Sequence, residues 1–356
     1  MRPIILIPLA VIVNIIMVMF QQGSIEVISR NFVIVNAAST NDYTGYYFAA
    51  INTWFGNIGL LLFLMYFVNN KRLLKKCIIA SLVMFVLPII FVLLMHPEYI
   101  GLRESQVSDM VFGGGIWNIG VCGFGSLAWL AISQLYDVNK KQKYIILFSI
   151  LLFSFAGISG LSRTFVLMIF FSLTYFIIFT RKNKTWMKTL FITIAFISVF
   201  LMFEGSIASQ VVGRFNDSAT GGTSNVRFAL WGNYIKYIDE YFWLGAPVGS
   251  VYNYYHDTNL LGKHFLPHSS ILNFWIRFGA FAVLGYLIMI KNAATKLKKR
   301  NDVIKKYKRV CLQAWVVSYI SLSFINQTGF AEIAFYLGFG LIFALINIEN
   351  SEVLPM

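Results

Sequence analysis

Arg30, Arg103, Arg163, Arg214, Arg227, Lys236, Lys263 and Arg277 stand apart from the basic clusters of this sequence, and six of these eight are arginine. Of the other 21 basic residues, 16 are lysine. A guanidinium keeps its charge and offers a planar fork of donors that meets two oxygens of a phosphate or carboxylate at once, whereas an ammonium is a point charge. The scattered arginines therefore mark an anion site, or they pair with Glu104, Asp109, Glu204 or Asp217. Near them, the stretch YNYYHDTNLLGKHFLPHSS supplies aromatic faces such as Tyr254 together with amides and hydroxyls. That composition suits sugar rings, which stack on Tyr and Trp and hydrogen-bond to Asn and Asp. No Asp-x-Asp pair and no Cys/His ligand spacing occurs, so no metal centre is expected, and Gly113–Gly115 lacks the lysine of a phosphate-binding loop.

The elements that must position these groups follow from composition. The chain has 356 residues, 58% hydrophobic and only 12% charged, with a mean hydropathy of +0.70. Soluble domains carry roughly 25% charged residues, so a soluble enzyme is excluded and a bilayer is the solvent. Apolar runs at 4–20, 52–68, 77–95, 114–136, 144–158, 164–180, 188–203, 269–290, 310–325 and 331–347 predict about ten transmembrane helices. The fifth is short, and Gly157, Gly160 and Ser162 leave open a broken or re-entrant segment between it and the sixth. The first follows Arg2 but has no small-residue cleavage site, which reads as an uncleaved helix. Cys77, Cys122 and Cys311 fall in or beside apolar runs and read as plain core residues.

Threading ten spans from an inside N-terminus places 69–76, 137–143, 181–188 and 291–309 on the inner face with both termini. These segments and Arg2 hold 21 of the 29 basic residues. That is the positive-inside bias. The net charge of +14 is then an anchor beside anionic lipid, and nucleic acid is not an expected partner. The arginine-rich remainder falls outside or in the outer half of the spans.

One outer connection is large. Residues 204–268 separate seven N-terminal spans (1–203) from three C-terminal ones (269–356). Within it, RFALWGNYIKYIDEYFWLG places Phe228, Trp231, Ile235, Ile238 and Phe242 at spacings of three and four, with Asn233, Lys236, Asp239 and Glu240 elsewhere on the wheel. An amphipathic helix is predicted, either lying in the outer interface or packed over the bundle.

Three segments then resemble the O-antigen polymerase and ligase superfamily (Wzy/WaaL-like), integral glycosyltransferases acting on polyprenyl-diphosphate-linked sugars. SGLSRTFVLMIFF is similar to the family's Ser-Arg or Thr-Arg element, with Arg163. VRFALWGNYIKYIDEYFWLGAPVGSV resembles its Arg…Trp…Gly-x-Gly pattern, with Arg227 four residues before Trp231. PHSSILNFWIRFGAFAVLGYL resembles its His-Asn-x-x-Leu…Gly…Gly element, with His268. Two departures stand out: Ser269 where the family has Asn, and Arg277 where it often has an acidic residue.

The resemblance implies an all-α polytopic membrane protein, a GT-C-like bundle of about ten transmembrane helices with one large extracytoplasmic loop. It implies that Arg163 and Arg227 clamp the lipid diphosphate, with Arg214 a weaker third and Tyr254 and Trp231 contacting glycan. His268 would be the general base for the acceptor hydroxyl, with no cofactor or metal. The expected partners are an undecaprenyl-diphosphate-linked oligosaccharide, the lipid bilayer and a chain-length regulator protein. The expected activity is polysaccharide polymerisation at the outer face of the cytoplasmic membrane, as in O-antigen or capsule synthesis. The alternatives are ligation of glycan to lipid A core or a wall acceptor, and transport of an anionic lipid-linked substrate. A transporter should show inverted repeats and charged spans, and neither is evident.

Overall fold

A computed structural model describes residues 56–96, 115–159, 163–180, parts of 231–245, 259–260, 263–264, 269–298, 302–325 and 333–351. The expected spans at 4–20 and 188–203 lie outside these residues. The other eight runs coincide with helices: α1 (Asn57–Phe67), α2 (Lys71–Met95), α3 (Gly115–Gly123) continuing through a π-helical turn (Phe124–Ala128) into α4 (Trp129–Ser133), α5 (Lys140–Ser159), α6 (Arg163–Thr180), α7 (Ser270–Thr295), α8 (Val303–Ile325) and α9 (Ile333–Ser351). Against an expected ten, the described residues hold three helices long and apolar enough to cross a membrane, Lys71–Met95, Lys140–Ile158 and Ile333–Ser351. Shorter apolar helices run over Asn57–Phe67, Ile119–Ser133, Phe165–Thr180 and Gly279–Thr295. Among the described residues, the one departure from helical elements is a two-residue antiparallel pair, β1 (Asn259–Leu260) with β2 (Lys263–His264), in the large loop.

The faces of these helices show why the sequence has so few charges. Along α2, Leu74, Ile78, Leu82, Ile89 and Val92 are buried, yet the opposite side carries exposed Met84, Leu87, Phe91 and Leu94. Exposed Leu147, Phe148, Leu151 and Phe155 repeat the pattern on α5. A helix of a soluble protein would put polar residues there, whereas hydrocarbon accepts apolar ones. Helix starts are nevertheless capped as in water. Asn139 Oδ1 accepts from the Gln142 amide at 2.9 Å, and Gln142 Oε1 accepts from the Asn139 amide at 3.2 Å, a reciprocal capping box opening α5. Asn70 caps α2 by accepting from the Leu73 amide at 2.8 Å.

The chain divides into two units. One comprises Leu64–Thr220, Ala293–Leu322 and Leu337–Met356. Its helices approach closely through small residues, as membrane helices do where no hydrophobic force separates protein from lipid. A Cβ on Gly120 would stand 2.6 Å from the Gly157 nitrogen, and one on Gly338 would stand 2.7 Å from the Ser126 carbonyl oxygen. Ser126 lies in the π turn, and its carbonyl accepts the Trp315 indole N–H at 2.9 Å, so α8 and α9 both meet the distorted turn.

One end of this unit is tied by buried ions. Lys308, 2% exposed, lies 2.5 Å from Glu349 Oε1 and 2.6 Å from Asp137 Oδ2. Lys305 donates to the Glu349 carbonyl at 2.8 Å, Lys75 donates to the Asp137 carbonyl, and Lys71 stands 3.8 Å from the Glu349 carboxylate. Nearby, the Asn350 amide group donates to the Lys296 carbonyl at 3.0 Å. The segments 69–76, 137–143 and 291–309, which the threading assigned to one side, thus converge on one ion cluster.

The other unit comprises Met1–Phe63, Gly221–Asn292 and Ser323–Tyr336. Its described core joins the loop helix to the first part of α7: Tyr234, Ile238 and Ile276 are buried together, flanked by Leu272, Trp275 and Phe242.

Candidate active site

Arg163 is the first residue of α6. The helix is held in place just below: Phe165 is buried, its ring meets Phe124 edge-on at 5.6 Å, and it fills the space that a side chain on Gly157 would need. The Gly157 that interrupted the apolar pattern is thus a packing glycine inside a 20-residue α5.

Trp231 lies in helical backbone, the first described residue of the loop helix, and is half-buried. The expected amphipathic pattern needs one revision. Tyr234 is 3% exposed and faces α7, while Ile235 is 50% exposed. Both residues stand three or four places from Trp231 and Ile238, so spacing could not choose between them; contact with Leu272, Trp275 and Ile276 does. The helix is packed on a neighbour, and its exposed residues include Ile235, Lys236 and Asp239.

At the start of α7, buried Ser269 Oγ accepts from the Leu272 amide at 3.4 Å. Serine therefore acts here as a helix cap, a task asparagine performs equally well, and the departure at this position keeps the local structure. The predicted span at 269–290 is not one continuous helix. Gly279 has φ 75° and ψ −179°, a conformation essentially reserved for glycine, and it breaks α7 into two pieces. Into this break fits the turn that ends the loop helix. The Phe242 carbonyl accepts both the Ala280 amide at 2.8 Å and the Trp275 indole N–H at 3.1 Å. The Phe242 ring meets Trp275 at 5.2 Å, and Trp243 lies against Phe281 at 5.4 Å. Sequence reading missed Trp275 and the break at Gly279, and it read Phe242 only as part of the amphipathic face; a glycine within a helical apolar run was the available signal.

Arg214, Arg227, Tyr254 and His268 lie outside the described residues, as do the side chains of Arg163 and Arg277. What the structure brings together is the loop helix with Trp231 and the helix whose cap follows His268 in sequence. Among the described residues, no group of three or more His, Cys, Asp or Glu is placed to hold a metal ion.

No curated protein and no solved structure matches the chain. Residues 148–287 match the family model Wzy_C, described as O-antigen ligase, a stretch that takes in α6, the large loop and most of α7. The segment with Arg163, the loop helix and the α7 break therefore lies within a stretch similar to the O-antigen ligase family, and that match supports the resemblance to the O-antigen polymerase and ligase superfamily.

Proposed function

We propose that this protein is a polysaccharide polymerase, transferring a growing glycan from polyprenyl diphosphate onto the end sugar of the next lipid-linked repeat unit. The observation that carries the glycosyl-transfer part of this reading, common to polymerase and ligase, is the match over residues 148–287, because it takes in all three chemistry-bearing segments in one stretch. Lipid diphosphate leaves as an ionised group. Its departure needs stabilisation of charge more than a proton donor, and arginines supply that without a metal. In the proposed reaction the acceptor hydroxyl oxygen attacks the anomeric carbon, and the bond from that carbon to the diphosphate oxygen breaks. The hydroxyl proton passes to the His268 imidazole, which is neutral near pH 7. Arg163 and Arg227 hold the diphosphate, with Arg214 as a third contact and Trp231 and Tyr254 against the glycan.

The site is assigned to the extracytoplasmic face of the cytoplasmic membrane, with both termini cytoplasmic, seven spans before the loop at 204–268 and three after it. The inner-face lysine bias supports that orientation. Undecaprenyl diphosphate is the proposed carrier, and a chain-length regulator is the proposed protein partner.

A ligase uses the same donor, and the description of the matched family favours that second reading. Purified protein given a synthetic lipid-diphosphate repeat unit, with and without a core acceptor, separates the two. A product ladder without core supports the polymerase, and a single transfer requiring core establishes the ligase. Substrate movement across vesicles without transfer leaves neither standing.

A further inference from the structure

The Phe242 carbonyl is the junction of two elements that the proposed chemistry must hold together. It follows the loop helix, whose first described residue stands four places after Arg227 in sequence, and it accepts two donors from α7, whose cap immediately follows His268. The two donors differ in kind. Ala280 opens the second piece of α7, where the first amides have no acceptor within the helix, so its N–H must be satisfied from outside. The Trp275 indole is a donor only, and it lies within the first piece. One carbonyl therefore bridges both sides of the break at Gly279. Gly245, three residues on, has φ 82°, a left-handed backbone conformation that glycine adopts without a Cβ clash. The rings of Phe242 and Trp243 pack on Trp275 and Phe281, one on each side of the break.

A helix break costs hydrogen bonds and conformational freedom, and it persists only where surroundings enforce it. Here the enforcing group is the end of the loop helix. We infer that Phe242, Trp275 and the Gly279–Ala280 break form a positioning latch that fixes the arm beginning at Arg227 to the helix that follows His268. This rests on the reading of Arg227 as a donor clamp and His268 as the base. Trp275 is a positioning residue in that scheme: it acts by registering two elements, not by touching the reacting atoms. Alignment of a bound donor with its attacking group is a rate effect, so loosening the latch lowers kcat while leaving donor affinity in place.

The test uses the full chain in lipid nanodiscs. Trp275→Phe keeps the ring and removes the indole donor. Ala280→Pro removes the other donor at the first position of a helical piece, where proline is tolerated. For Trp275→Phe, hydrogen exchange at the Ala280 amide should be about fivefold faster or more, as expected for one lost hydrogen bond. In both variants trypsin cleavage after exposed Lys236 should accelerate similarly, with exchange in α8 unchanged. In the lipid-diphosphate transfer assay, kcat should fall roughly tenfold with donor KM within about twofold of wild type. The double variant should lose little more than either alone, because both donors serve one carbonyl.

Unchanged exchange at Ala280 and unchanged cleavage at Lys236 would overturn the latch. So would normal kcat with a loosened loop, or loss of folded yield in both variants, since the contact would then be only a fold element. A wild-type chain that transfers nothing from any lipid-diphosphate donor removes the transferase reading instead, while the exchange and cleavage arms still decide whether the latch exists.

Discussion

Guanidinium and ammonium carry the same charge, so replacing Arg163 by lysine isolates geometry from electrostatics. If Arg163 grips a diphosphate through two parallel donors, Arg163→Lys should lower product formation by about 100-fold or more at unchanged folded yield, the scale on which one stabilising donor at a developing oxyanion acts. Near-normal turnover would remove it from the site. For His268→Ala a comparable loss is expected, since a positioned base contributes about 10²–10⁴-fold. The sign with pH also follows. A base must be unprotonated, so wild-type activity should fall as pH drops through the imidazole range near about 6.5, and the residual activity of His268→Ala should lack that limb. Beside it, Ser269→Asn should preserve stability because either side chain caps α7, whereas Ser269→Ala should cost about 1 kcal/mol in a denaturation measurement. At this scale the sequence names candidates where side-chain chemistry is distinctive, as with arginine against lysine, and Arg214, Arg227 and His268 lie outside the described residues. It was silent on the Phe242 carbonyl, because every residue carries that group and only the folded backbone says which one is shared.

Helices were the most readable elements, since eight expected spans coincide with helical backbone and hydrophobic runs of that length have few other solutions. Their interruptions were harder to read. Gly157 looked like a break and is instead a contact under the Phe165 ring, whereas Gly279 looked like part of a span and is the actual break. Both are glycines in apolar surroundings, and the difference lies in what packs against them, which periodicity does not encode. Tyr234 and Ile235 repeat the lesson, for two adjacent residues fit the same spacing and only the position of α7 buries the tyrosine. The close approach of α3 and α5 yields its own prediction. At Gly120 a methyl group would meet the Gly157 nitrogen at 2.6 Å and the Phe153 carbonyl oxygen at 2.7 Å, both backbone atoms that cannot rotate aside. Gly120→Ala should therefore force the helices apart and destabilise the bundle by about 1–3 kcal/mol, read as a lowered melting temperature in detergent. Gly232→Ala, with nothing within 4 Å of the added methyl, should show no such penalty and serves as the control.

Across the whole molecule, charge does two kinds of work. The basic segments were read as anchors that fix orientation, and two of their lysines turn out to be buried structural ions: Lys305 and Lys308 meet Glu349 and, for Lys308, Asp137. Lys71 and Lys75 sit in the first turns of α2, where positive charge opposes the dipole, so their placement answers to this cluster and to the membrane side, not to helix stability. Removing Lys308 leaves two carboxylates facing each other without their shared cation. Lys308→Met should consequently destabilise by about 3–5 kcal/mol, while Lys308→Met combined with Glu349→Gln should recover part of the loss. Orientation is tested separately. With Cys77, Cys122 and Cys311 replaced, single cysteines at exposed Lys143 and Lys298 should react with an impermeant maleimide from one side of the membrane only, because their segments converge on the same ion cluster. The proposed topology makes that side the cytosolic one and requires a cysteine at Lys236 to react from the opposite side. Reaction of all three from the cytosolic side would put the loop helix, and the latch that follows it, in the cytosol. No extracytoplasmic lipid-linked donor could then reach it, whatever family residues 148–287 resemble.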